Sequence, residues 1–261
     1  MARMKVRFWG TRGSIATPGG ATLRYGGNTS CVEIASDAGT TILIDAGTGA
    51  NALGKALVEQ GRAMSGHILI SHTHWDHIQG LPFFAPLFVA GAEWHIYGPR
   101  GIGQSLRDVL AAQMDYAYFP VTLNAFAAQV HYHEIVEGGF SIDDVWIATQ
   151  YLNHPALTVG YRLEADGGSV VYASDHELHD RHAGEGHAEA SEGGDATAQA
   201  HGQGDARFVG DFEPADVTAD AVDAVFDFLD GEAWEHSDEF VATEAGERMG
   251  LLDDIVKGVG D

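Results

Sequence analysis

Short apolar runs bounded by glycine-rich turns recur along the first two-thirds of the chain, a spacing that predicts strands. Runs at 5–9, 30–35, 41–44 and 67–71 come first, and runs at 94–97, 145–151, 157–163 and 169–173 follow. Two stretches change to the helical period. Leu53, Ala56 and Leu57 share one face of a helix expected over 51–60, and a second helix is expected over 105–114. Strands that dominate an order also containing helices predict an α/β (α+β) layered sheet core covered by helices.

From Asp180 to Ala206 there is no Val, Leu, Ile, Met or aromatic residue. Such a segment buries too little apolar surface to offset its ordering entropy, so it is expected to be a disordered insertion. Beyond it, Val222, Val225, Phe226 and Leu229 fall on one helical face after a Thr218 cap, and a weaker helix is expected over 244–256. The chain is thereby divided into a core at 1–179, the insertion at 180–206 and an acidic helical segment at 207–261. No internal repeat is present.

Composition adds one asymmetry. With 45% apolar residues in 261, the chain can bury a sizeable core. Its net charge is −24, but residues 1–175 hold 15 acidic and 10 basic side chains against 23 and 4 in residues 176–261. The acidity belongs to the last third. It disfavours a long nucleic acid as substrate. Residues 1–8 run straight into a strand pattern with no apolar leader, and no stretch approaches a membrane span, so a cytoplasmic location is expected. The single Cys31 lies in a strand pattern, where packing is the better expectation than reactivity.

The candidate chemistry begins after the run 67–71, with His72-Thr73-His74-Trp75-Asp76-His77. Imidazole nitrogens and carboxylate oxygens suit zinc and neighbouring ions. In an extended loop His72 and His74 project to one side and can hold one ion, whereas Asp76 and His77, where the chain turns helical, can face a second ion about 3.5–4 Å away. Two later strand ends could complete the set. His154, in Leu152-Asn153-His154-Pro155, is a candidate third ligand of the first ion, and Asp175, after Val170-Val171-Tyr172-Ala173-Ser174, is a candidate bridge. Asp45 is either an orienting partner of a ligand histidine or a turn residue. Phe83, Phe84, Tyr116, Tyr118 and Phe119 are either core or pocket lining, with core favoured.

These motifs, together with Phe8-Trp9-Gly10-Thr11-Arg12-Gly13-Ser14, Tyr25-Gly26-Gly27-Asn28-Thr29-Ser30, Ile44-Asp45-Ala46-Gly47-Thr48 and Gly160-Tyr161-Arg162, resemble the metallo-beta-lactamase fold superfamily. The likeness is to its phosphodiesterase branch, which includes ribonuclease Z and the cyclic phosphodiesterase of phosphonate breakdown. It covers roughly the first two-thirds of the chain. The resemblance implies an αβ/βα sandwich with His72, His74 and His154 on one metal, Asp76 and His77 on the other, and Asp175 bridging. His74 stands where the superfamily's diiron oxidoreductases place a Glu, which favours zinc hydrolysis over redox chemistry.

The last third departs from that family pattern, which supplies one more histidine from a late strand. The histidines beyond Asp175 are His176, His179, His182, His187, His201 and His236, and none lies in an apolar strand. His182, His187 and His201 are expected to be solvated. Trp234-Glu235-His236-Ser237 has a faint likeness to the His-Ser segment of ribonuclease Z relatives, which makes His236 a candidate catalytic residue beside Asp76. The expected activity is zinc-dependent hydrolysis of small phosphate diesters by an ion-activated water, with two Zn2+ ions, the second site incomplete, and Mn2+ as the alternative. A lactonase or thioesterase of the same fold, and a metal-binding module with weak or no catalysis, are the competing expectations. The expected partners are a small phosphodiester or ester substrate and no membrane, with a homodimer left open.

Overall fold

All four side chains of Thr41–Ile44 are buried, as expected of a strand covered on both faces. The covering layers are a second sheet on one side and helices on the other. A computed structural model describes residues 4–101 and 103–176, together with strand segments 207–210 and 240–241. The first sheet holds β1 (Lys5–Gly10), β2 (Cys31–Ala35), β3 (Thr41–Ile44), β4 (Ser65–Leu69), β5 (Glu93–Pro99) and β6 (Gln129–Ile135) in sequential order. β1 to β3 are antiparallel, and β3 to β6 are parallel. The second sheet is antiparallel throughout. It holds β7 (Gly138–Ile142), β8 (Val145–Leu152), β9 (Thr158–Ala165), β10 (Gly168–Ala173), β11 (Arg207–Gly210) and β12 (Phe240–Val241).

Alternation along β3 and β4 assigns side chains to two cores. Ile42, Ile44 and Leu69 meet Ile147, Tyr161, Leu163 and Tyr172 between the sheets. Leu43, Ile68 and Ile70 point the other way, onto Leu53 and Leu57 of α1 (Gly49–Glu59) and onto Leu106 and Leu110 of α3 (Leu106–Ala112). Each fully buried Leu or Ile here contributes about 1.5–3 kcal/mol. The Tyr161 hydroxyl joins the sheets by donating to the Ile70 carbonyl at 2.6 Å. Cys31 is fully buried, in keeping with the packing role expected for it.

The sequence pattern is off by a residue or two at most element ends. β4 runs 65–69 rather than 67–71, α1 runs 49–59, and α3 is capped by the Ser105 hydroxyl, which accepts from the Asp108 N–H at 3.1 Å. Four strands escaped the pattern, two of them, β11 and β12, inside the segment expected to be helical over 207–261. β6 reads Gln-Val-His-Tyr-His-Glu-Ile, with Val130 and Tyr132 packed on the helical core and histidines on the opposite face, and β7 begins with two glycines. The helix expected after His77 is broken into a four-residue α2 (Trp75–Ile78) and two 3-10 turns, Leu81–Phe83 and Ala85–Phe88, because Pro82 and Pro86 interrupt it. Among the described residues no helix is long and apolar enough to cross a membrane. The 180–206 insertion and the helices expected at 222–229 and 244–256 lie outside the described residues.

Candidate metal centre

The centre is built at the C-terminal ends of β3 and β4. Asp45 ends β3 in a left-handed conformation, φ 59°, which Asp tolerates better than most residues. Its fully buried carboxylate collects four donors. The Ser71 N–H reaches Oδ1 at 2.7 Å, and Oδ2 takes the Ser71 hydroxyl at 2.8 Å, the Tyr172 hydroxyl at 2.5 Å and His77 Nδ1 at 2.6 Å. A buried carboxylate without such partners would be very costly. Burial works against a charged His77, but the carboxylates of Asp45 and Asp175 outweigh it and push the His77 pKa up to about 10.

With Nδ1 held by Asp45, His77 turns Nε2 outward to Asp175 Oδ2 at 2.8 Å. Asp175 leaves β10 with φ 49°, and the same oxygen lies 3.2 Å from His72 Nε2. His72 Nε2 in turn lies 3.1 Å from His74 Nδ1, which lies 3.2 Å from His154 Nε2. Two sets of donors result, His72–His74–His154 and His72–His77–Asp175, each with its ligand atoms within 4.8 Å of one another. Nitrogens bound to one tetrahedral zinc at about 2.05 Å stand about 3.3 Å apart, so the observed spacing fits a divalent ion. Burial, and then the neighbouring imidazoles, hold His72 and His74 toward the neutral form that a ligand requires. His72 is fully buried, whereas His74 is exposed, so the centre opens on the His74 side.

Asp76 belongs to neither set. Its Oδ2 accepts the Ser14 N–H at 2.7 Å and stands 3.6 Å from His77 Nε2. The turn that carries it is fastened to the Asp45 loop by Ala46 N–H to His77 O at 2.7 Å and Gly80 N–H to Ala46 O at 2.8 Å. The fit leaves no room for side chains. A Cβ on Gly47 would lie 2.2 Å from the Asp76 carbonyl oxygen, and one on Gly80 would lie 1.9 Å from that of Gly47.

The structure therefore brings His72, His74, His77, His154 and Asp175 together and sets Asp76 at their side. His236, like His182, His187 and His201, lies outside the described residues. The aromatic set does not form one pocket or one core: Phe84 is buried against Trp94, whereas Phe83, Tyr116 and Tyr118 are exposed. The core expectation therefore holds for Phe84 and fails for those three, and Phe119 packs edge-on against Phe83 at 5.3 Å. Of the two readings for Asp45, the orienting one matches the geometry. The sequence pattern by itself assigns no role to Ser71, Tyr172 or Ser14. A tyrosine three residues before Asp175 in an apolar strand was the available signal, since a buried hydroxyl needs a partner.

The two sheets thus form a sandwich whose strand ends gather histidines and aspartates at one edge. The family model described as "Beta-lactamase superfamily domain" matches residues 40–192, and the chain belongs to that family. Ribonuclease Z of Staphylococcus carnosus is 36% identical over 118 residues, 43% of this chain and 36% of that protein. Ribonuclease BN of Cronobacter sakazakii is 36% identical over 101 residues, 37% of this chain and 30% of that one. The chain thus spans about a third of the length of these curated relatives. Among solved structures, the metallo-beta-lactamase fold protein YhfI from Bacillus subtilis aligns with TM-score 0.48 and 19% identity over 68% of this chain and 64% of that chain. The short form of human tRNase Z aligns with TM-score 0.46 and 21% identity over 66% of this chain and 69% of that one.

Proposed function

We propose that this protein is a zinc-dependent phosphodiesterase-like hydrolase of small phosphate diesters. In this proposal His72, His74 and His154 hold one ion, His77 and Asp76 serve a second, and Asp175 stands between them. One observation supports it above the others: His72 Nε2 is shared by two donor sets, with His74 Nδ1 at 3.1 Å on one side and Asp175 Oδ2 at 3.2 Å on the other. Divalent ions at such a site supply Lewis acidity, which makes water a nucleophile near neutral pH and offsets charge on phosphoryl oxygens. The chain's own residues orient the donors. Asp45 fixes His77 through Nδ1, Ser71 and Tyr172 fix Asp45, and the Ser14 N–H keeps one Asp76 oxygen aimed at the site. We assign Asp76 the movement of a proton at its carboxylate.

The test is turnover of an aryl phosphodiester by the zinc-loaded full chain, compared with His72→Ala. Activity that falls to background in the variant supports the proposal; equal rates in the two proteins would overturn it. The ribonuclease names of the matched relatives favour a second reading, in which the diester is RNA. A short oligoribonucleotide run beside the aryl diester separates the two, and a lactone and a thioester run in parallel test the ester-hydrolase alternatives. Zinc content that is lower by about two per chain in a His72→Ala/His74→Ala variant supports the enzyme, whereas a difference of one or none without turnover favours a metal-binding module.

A further inference from the structure

A second group of histidines lies on the first sheet, away from the strand ends that build the centre. His67 on β4, His95 on β5 and His131 on β6 are cross-strand partners in one row, and Glu93 and His133 flank that row on the same face. About five residues of chain, on the order of 16 Å when extended, separate His67 from His72. The His95 and His131 rings stack at 4.6 Å with 17° between their planes. Both turn Nε2 toward the same carboxylate oxygen, with Glu93 Oε1 2.9 Å from His131 Nε2 and 3.7 Å from His95 Nε2. On its other side His95 Nδ1 meets His133 Nε2 at 3.0 Å.

We propose that Glu93 Oε1, His95 Nε2 and His131 Nε2 form a second binding site for a divalent transition ion, zinc or copper. Two imidazoles and one carboxylate, with ligand atoms within 4.8 Å of one another, are a donor set of the kind such ions take. His133 is a positioning residue. By accepting the Nδ1–H of His95 it selects the tautomer whose Nε2 lone pair faces Glu93. Burial and then the adjacent imidazole His131 hold His95 below the usual histidine range, and burial with His95 and His131 does the same for His133. His95 and His131 are about a quarter and a third exposed, so water can reach the ion and complete its coordination.

Titration of the ion-free full chain with Cu2+ tests this, read by ion count and by electron paramagnetic resonance. A His72→Ala/His74→Ala background removes two of the other centre's four histidines and leaves neither donor set complete. There we expect one equivalent whose spectrum shows coupling to two imidazole nitrogens. Adding His95→Asn/His131→Asn should remove that equivalent, and His133→Gln should weaken it about tenfold. Glu93→Gln, a change at an exposed side chain, serves if the double substitution unfolds the protein, as judged by circular dichroism. An equivalent that persists unchanged through His95→Asn/His131→Asn, or through Glu93→Gln where that variant replaces it, would overturn the proposal. So would a background that binds no copper with two-nitrogen coupling.

Discussion

Two groups of histidines in this molecule are made in opposite ways. The centre at His72 and His77 draws its donors from the ends of β4 and β10, from α2 and from the β8–β9 turn, and His72 and His77 are almost completely buried. The group at His95 and His131 comes from two neighbouring parallel strands and stays partly exposed. Burial forces the first to carry a supporting shell, since the Asp45 carboxylate must be satisfied and in return fixes the rings. The second needs only strand register and one accepting nitrogen. A site of the first kind is rigid and tied to the stability of the fold. A site of the second kind is nearly independent of it.

Substitution of Asp45 is the strongest way to break this contrast. Asp45→Ala takes from buried His77 the carboxylate at Nδ1 and from the Ser71 and Tyr172 hydroxyls the acceptor they share, leaving Asp175 on the other side of the His77 ring, so urea unfolding should show a loss of about 3–5 kcal/mol. Calorimetry should also show weaker zinc binding at the His72 centre. An unchanged unfolding midpoint would mean that Asp45 supports nothing. Gly47→Ala comes next. Its Cβ would meet the Asp76 carbonyl oxygen at 2.2 Å, so a cost of about 1–3 kcal/mol and a further loss of zinc affinity are expected, with ion binding at His95 and His131 unaffected. Smaller again is Tyr172→Phe, which removes one of four donors to Asp45. A loss of about 1–2 kcal/mol on thermal melting is expected.

Titration sharpens the same comparison without any mutation. In the ion-free protein His77 has its pKa raised to about 10, so its protonated form stabilises the fold fully below the unfolded value of about 6.5 and is lost as pH rises through about 10. His95 and His133 are shifted the other way. An imidazole whose folded pKa is depressed costs stability as pH falls below about 6.5, because the unfolded chain binds the proton more readily. Histidine proton shifts followed by nuclear magnetic resonance should show His77 still protonated at pH 8 while His95 and His133 are neutral. If His77 titrated with the others, its pairing with Asp45 would be refuted.

Much of the fold and part of the centre can be read along the chain. The apolar runs place eight of the strands to within about two residues, and the pair His72/His74 follows from a period of two in an extended loop. β6 could not be read that way, because its apolar face is only Val130 and Tyr132 and its other face is histidine. Nor could the role of Asp45 be chosen. A carboxylate at a strand end reads equally well as a turn residue until Ser71, His77 and Tyr172 are seen around it.

By itself the sequence determined the donor types, their local spacing and the family motifs, since these depend on neighbours within a few residues. Tertiary structure decided which donors meet. His154 and Asp175 reach His72 because β8, β9 and β10 form a second sheet whose turns close over the end of β4, with the Val159 N–H donating to the Ser71 carbonyl at 2.9 Å. It also decided that Asp76 stands beside both donor sets, since the Ser14 N–H, from a loop 62 residues earlier, holds its carboxylate. The row of His67, His95 and His131 exists only through cross-strand register. Local pattern records which way a side chain points, but the distance between two nitrogens is a property of packing.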